Sequence, residues 1–188
     1  MPEVIAIYGR TADGLLAARI GDIACIAVPV YGGLRLATAW QLAKPLDQWR
    51  AGDALASEGI VADDTAFRAH VEDVAHHQRQ LSRLSRPRLT TSCRTPWGAT
   101  QQATVYAEGI VFHATASHGG FKLSRARLAQ IDPLLRVENG WYEEDVEWAK
   151  VEAAFPDLFS DRENASADRT LRGSYPQIRA ALRSKRLG

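Results

Sequence analysis

The run I-A-C-I-A-V-P-V-Y-G-G-L-R-L-A-T-A-W (Ile23–Trp40) decides the fold of the first half of the chain. It consists of two apolar, β-rich stretches, Ile23–Val30 and Leu34–Trp40, separated by Gly32-Gly33, a dipeptide suited to a tight hairpin turn. Towards the N-terminus the pattern repeats in Leu15–Ile20 and Val4–Tyr8, with turn residues at Gly21-Asp22 and Asp13-Gly14. Four short apolar runs joined this way predict an antiparallel meander with one buried face. Pro29 cannot donate to a ladder, so it belongs near a strand end or on an edge. Lys44–Gly59 fits a short helix or an ordered loop, with Trp49 and Leu55 as anchors.

Downstream of the meander, residues 63–85 carry the strongest helical pattern. Asp63 and Asp64 suit its N-terminus, and Phe67, Val71, Val74, Leu81 and Leu84 recur at helical spacing as a core face. His76, Arg79, Arg83 and Arg86 fall on another face, Pro87 ends the helix, and Arg88 and Arg94 continue the basic character. Such a face is read either as solvated charge near a helix C-terminus or as a surface for a partner.

A second unit follows. Thr95–Gly98 reads as a turn with a tryptophan anchor, and Thr100–Ala107 and Ile110–Ala116 as a hairpin through Glu108-Gly109. Ser117–Gly120 reads as the next turn. Ser124 caps a short helix through Ile131, closed by Pro133. A longer helix is expected from about Trp141 to Phe155, stopped by Pro156. Ser160 and Glu163 form a capping-box start, and Pro176 opens a basic terminal helix after Gly173-Ser174. The fold class expected is therefore α+β. The expected domains are an N-terminal antiparallel sheet plus helix over 1–90 and a hairpin-plus-helices unit over 91–188.

Composition narrows the function classes. Of 188 residues, 46% are hydrophobic and 24% charged, and the formal charge is +1, so a packed core is expected and wholesale electrostatic binding to nucleic acid or membrane is not. Cys25 and Cys93 fit no metal-ligand spacing and read as reduced thiols. No apolar run reaches membrane-spanning length and no basic-then-apolar leader opens the sequence, which together imply a cytoplasmic protein.

Five motifs occur in order in the second half: T-P-W-G (Thr95–Gly98), Y-A-E-G-I-V-F-H (Tyr106–His113), S-H-G-G-F-K-L-S (Ser117–Ser124), G-W-Y-E-E-D (Gly140–Asp145) with E-W-A (Glu147–Ala149), and A-F-P (Ala154–Pro156). Over roughly residues 95–180 the chain resembles a domain of unknown function found in proteobacterial plasmid, phage and integrated-element proteins. The resemblance implies a genomic setting rather than a reaction. Small proteins from such elements often inhibit host defence, including restriction and CRISPR systems.

The residues with chemical potential are His113, His118 and Glu143-Glu144-Asp145. Projected on a helix over Trp141–Phe155, Asp145 and Glu152 fall inside the apolar arc, Glu144 at its edge, and Glu143, Glu147 and Lys150 towards solvent. A carboxylate among tryptophans needs donors, so Asp145 is expected to pin the Gly119-Gly120 turn and orient a histidine. The catalytic alternative makes His118 a general base paired with Asp145 or Glu144. His113, His118 and Asp145 could supply three metal ligands, but no metal-binding spacing supports a site, and no cofactor is expected.

The leading expectation is a non-enzymatic, mobile-element protein that inhibits a defence system of the CRISPR or restriction type. Its partner would be a host defence protein or ribonucleoprotein, contacted through Arg79, Arg83, Arg86 and Arg88. A homodimer is compatible with this reading. Direct DNA binding is disfavoured by the near-neutral charge and the lack of a recognisable reading helix.

Overall fold

The computed structural model describes residues 4–187, and side chains as far as residue 185. The described chain divides into two compact units, one ending at Gln80 and one beginning at Leu81.

The first unit is a five-stranded antiparallel meander in the order β1 (Ala6–Arg10), β2 (Leu16–Ile20), β3 (Ile23–Val30), β4 (Gly33–Trp40) and β5 (Ala56–Val61). The first four strands are those expected from the glycine-punctuated apolar runs. Pro29 pairs with Leu34 beyond the last residue that β2 matches, so its missing N–H breaks no bond on that side. Both faces of the sheet are covered. Ala18, Ile20, Cys25, Ala27 and Leu36 pack against Phe67, Val71 and Val74 of α1 (Asp64–Arg83). Ala17, Ala24, Ile26 and Ala37 pack against Trp49 and Ala54 from the β4–β5 connection. Arg19 lies over the Trp49 ring and donates to the carbonyls of Leu42 and Lys44, which ties that connection down.

Two expectations about this stretch need correction. Trp49 is fully buried as an anchor, but Leu55 is 87% exposed and anchors nothing. The segment does not stay a loop or helix either. After two short 3-10 turns it enters β5, whose polar, glycine-bent sequence hid it from a search for apolar runs.

The second unit holds β6 (Arg88–Leu89), β7 (Arg94–Thr95), β8 (Gly98–Ala99), β9 (Gln102–Ala107), β10 (Ile110–Ala114) and β11 (Gly119–Leu123). They are followed by α2 (Arg125–Gln130), β12 (Trp141–Glu143), α3 (Trp148–Ala154), α4 (Asp161–Ser174) and α5 (Pro176–Leu187). Its main sheet runs β12-β11-β10-β9-β6, and β7 and β8 form a small separate ribbon. One face of the sheet carries Ile110, Phe121, Leu123 and Tyr142 into a core completed by Val151, Phe159 and half-buried residues of the helices. Ser160 accepts from Glu163 N and Glu163 reaches back to Ser160 N, the capping box expected for α4.

The helix expected over 141–155 forms only in its second half. Residues 141–143 are a strand paired with β11, residues 144–147 turn, and only Trp148–Ala154 are helical. Asp145 is therefore exposed and pins no glycine turn. Lys150, expected in solvent, is buried with its ammonium over the Tyr175 ring, while Glu152 is buried as expected.

Arg86 is drawn inward. It forms paired bonds of 2.9 and 2.8 Å to the Glu163 carboxylate, donates to the Leu158 carbonyl, and stacks 4.1 Å from the Tyr106 ring centre. Burial alone would raise the Glu163 carboxyl, but the bonds from Arg86 and Ser160 prevail and hold it below its ordinary value of 4.5. Arg86→Ala leaves a half-buried carboxylate unpaired and should cost about 3 kcal/mol in the second unit, read by denaturant unfolding. Because the folded pKa is depressed, this contribution is complete above about pH 4.5 and disappears as pH falls through the folded value. The wild-type and Arg86→Ala stability curves should converge in acid.

Candidate functional site

The site is assembled where β10, β11 and β12 lie side by side. The ladder places His113, Gly120 and Glu143 on one rung, and Val111, Lys122 and Trp141 on the next equivalent one. Residues 115–118 make the turn into β11. Thr115 N and Oγ1 donate to the His118 carbonyl at 2.8 and 2.6 Å, and His118 N donates back to Thr115 Oγ1 at 3.2 Å. The expected Ser117–Gly120 turn thus ends two residues early, and Gly119 and Gly120 already belong to a strand.

These glycines are needed for close approach. A Cβ on Gly120 would run into the Trp97 ring and the Tyr142 carbonyl, and one on Gly119 would meet Glu144 Oε2 and Phe112 Cζ at under 3 Å. Trp97 is delivered by a tight turn in which Thr95 Oγ1 accepts from Trp97 N and donates to the Gly98 carbonyl. Its ring meets Trp141 edge-on, with centroids 5.8 Å apart, and Trp141 meets His113 at 5.3 Å. The Lys122 ammonium sits 5.0 Å above the Trp141 ring while donating to the Asn139 carbonyl, and burial lowers its pKa.

His113 is occupied structurally. Its Nδ1 lies 3.1 Å from Thr100 Oγ1 and 3.3 Å from Cys93 Sγ, and the residue is only 8% exposed. Burial first, and the Lys122 charge second, push its pKa below 6.5. A neutral imidazole accepting from the hydroxyl or thiol fits this setting. Burial of the ring and the nearby Lys122 charge both disfavour an imidazolium at this position.

On the exposed rim the structure brings together His118, Glu144 and Asp145, the three candidates for acid–base chemistry, and adds Glu143. His118 Nδ1 is 4.0 Å from Glu144 Oε1, and the ligand atoms of His118, Glu143 and Asp145 lie within 4.8 Å of one another. Glu143 Oε2 accepts from Asp145 N at 2.8 Å and from Val146 N at 3.3 Å, fixing the turn that follows β12. Glu144 also borders a cavity of about 280 Å³ walled by Tyr106, Phe112, Phe121, Trp148 and Phe159. His113 does not join this group.

A helical projection points Glu143 towards solvent, away from this cluster. Glu143 ends β12 and Asp145 stands in the turn that follows, where its amide donates to Glu143 Oε2, so a strand-to-turn step rather than a shared strand face brings the two carboxylates together. Trp97 is the anchor expected from its turn, and its seat is the bare backbone of Gly120, a pairing that no local sequence signal encodes. The arginines do not make a single face of free cations. Arg83 and Arg88 are exposed, Arg79 donates to the Val4 carbonyl, and Arg86 holds Glu163.

Fold and site together define a mixed α+β protein whose C-terminal unit presents a His–carboxylate cluster beside an aromatic hollow. This chain belongs to the DUF7007 family, a domain of unknown function, matched over residues 90–187. Comparison with curated proteins and with solved structures gives no match.

The unfolded chain binds a proton at His113 near pH 6.5, and the folded chain only at lower pH. Stability from this residue is complete above that value and is lost progressively on acidification. His113→Gln should lower stability at neutral pH yet flatten its decline between about pH 6.5 and pH 5, measured as unfolding midpoints of the second unit across that range.

Proposed function

We propose that this chain is a binding protein of a mobile element that inhibits a host defence system, of the CRISPR or restriction type, by occupying a protein or ribonucleoprotein. The observation that carries the binding reading is the distribution of exposed apolar side chains in the first unit. Ile7 on edge strand β1 and Ile60 on edge strand β5 are 55% and 61% exposed, and Tyr31 in the β3–β4 turn and Trp40 at the end of β4 are 103% and 63% exposed. Open sheet edges bearing large apolar side chains are surfaces that proteins ordinarily cover or blunt with charge. The mobile-element setting rests on the motif resemblance, and with it the cytoplasmic site of action. Arg83 and Arg88 are the exposed members of the expected basic surface and supply charge for an acidic partner.

A second reading makes the protein a small enzyme using His118 with Glu144 or Asp145. It is favoured by the approach of His118 to Glu144 beside the aromatic cavity. The two readings separate in one experiment. Phage plaquing is measured on hosts with active CRISPR or restriction systems that express the chain. The binding reading expects plaquing to rise by at least tenfold on one such host, to fall back with Ile7→Asp and Ile60→Asp, and to persist with His118→Ala. Unchanged plaquing on every defended host overturns the inhibitor reading, and loss with His118→Ala at unchanged melting temperature favours the enzyme.

A further inference from the structure

We propose that His118, Glu143 and Asp145 form a binding site for one borderline divalent cation, Zn²⁺ or Mn²⁺. The inference does not depend on the inhibitor reading. It starts from convergence, because an imidazole nitrogen and two carboxylate oxygens from two chain segments lie within 4.8 Å of one another. Ligand atoms about 2.1 Å from a shared ion stand roughly 3–4 Å apart, so modest side-chain rotation closes the site.

The backbone that carries these ligands is already fixed. Glu143 ends β12 on the rung of Gly120, and Glu144 N donates to the Gly119 carbonyl at 3.1 Å. The Thr115 bonds fix the main chain of His118. Glu143 Oε2 is held by the amides of Asp145 and Val146, which orients the carboxylate and leaves Oε1 for an ion.

Charge points the same way. Three consecutive carboxylates, Glu143, Glu144 and Asp145, are gathered at this corner. Among the described residues no lysine or arginine nitrogen forms an ion pair with any of them. Elsewhere in the unit acids are matched, as in Arg86–Glu163, Arg179–Asp168 and Lys185–Asp132. A cation would relieve the mutual repulsion of these carboxylates, which among the described residues are otherwise met only by backbone amides and the His118 ring. One imidazole with carboxylates suits Zn²⁺ or Mn²⁺ better than Ca²⁺ or Mg²⁺, which prefer all-oxygen sets. Three protein ligands leave a position open, with Glu144 close to His118 on one side.

Isothermal titration of the metal-free full chain with Zn²⁺ alone, and with Mn²⁺ alone, tests the assignment. One equivalent is expected, and His118→Ala, Asp145→Asn and Glu143→Gln should each weaken binding at least tenfold. His118 and Asp145 are exposed, so their variants should keep the wild-type melting temperature without metal. Glu143→Gln keeps an oxygen for the Asp145 amide. A His76→Ala/His77→Ala variant controls for adventitious uptake by the neighbouring helical histidines and should bind as the wild type does. No stoichiometric binding of either ion, or wild-type affinity in both His118→Ala and Asp145→Asn, overturns the proposal. So does loss of binding in the His76/His77 variant alone.

Discussion

The approach of the Trp97 ring to the backbone of Gly120 is the contact on which the C-terminal unit is organised. Any side chain at Gly120 would occupy the space of that ring. Because the ring is there, Trp97 can meet Trp141 edge-on, and Trp141 can meet His113. Aromatic contacts of this kind add about 0.5–1.5 kcal/mol each beyond the area they bury. Together they cover one face of the β10–β11–β12 sheet, while Phe121 and Tyr142 face the helical core on the other. The glycine pair is thus used for packing within a ladder. Its role differs from that of an anion-binding turn, whose amides would have to point at a ligand.

The same ladder explains the electrostatic division of the unit. Sheltered groups of the unit are paired or disfavoured as cations: Arg86 with Glu163, Lys150 over Tyr175, and His113, on the aromatic face, held below its ordinary pKa. At the rim, where β11 begins and β12 ends, His118 and three carboxylates meet, and among the described residues no lysine or arginine pairs with them. Strand pairing brings these residues together from positions about 25 apart in sequence. Their proximity follows from backbone register.

What could be read from the sequence was what local signals encode. The meander of the first unit follows from apolar runs and glycine turns a few residues apart, and α1 from its periodic core face and acidic start. The capping box at Ser160 and Glu163 is likewise local. The misread parts depend on distant partners. W-Y-E-E-D-V-E satisfies a helical projection as well as a strand and turn, and the decision is made by pairing with β11. Arg86 looks like one more surface arginine until Glu163, 77 residues away, is seen beside it. β5 lacks an apolar run because it is an exposed edge, and its Gly59 sits at φ +111°. The members of the rim cluster were individually visible in the motifs. Their grouping, and the inclusion of Glu143, required the strand assignment.

A double-mutant cycle between Trp97→Ala and Gly120→Ala tests the central contact most directly, with stability read from denaturant-dependent hydrogen exchange of the β11 amides. If the indole excludes a side chain at position 120, Gly120→Ala should cost at least about 1 kcal/mol less when Trp97 has been removed. Costs that add to within about 0.5 kcal/mol would contradict the account, because the two positions would then be energetically independent.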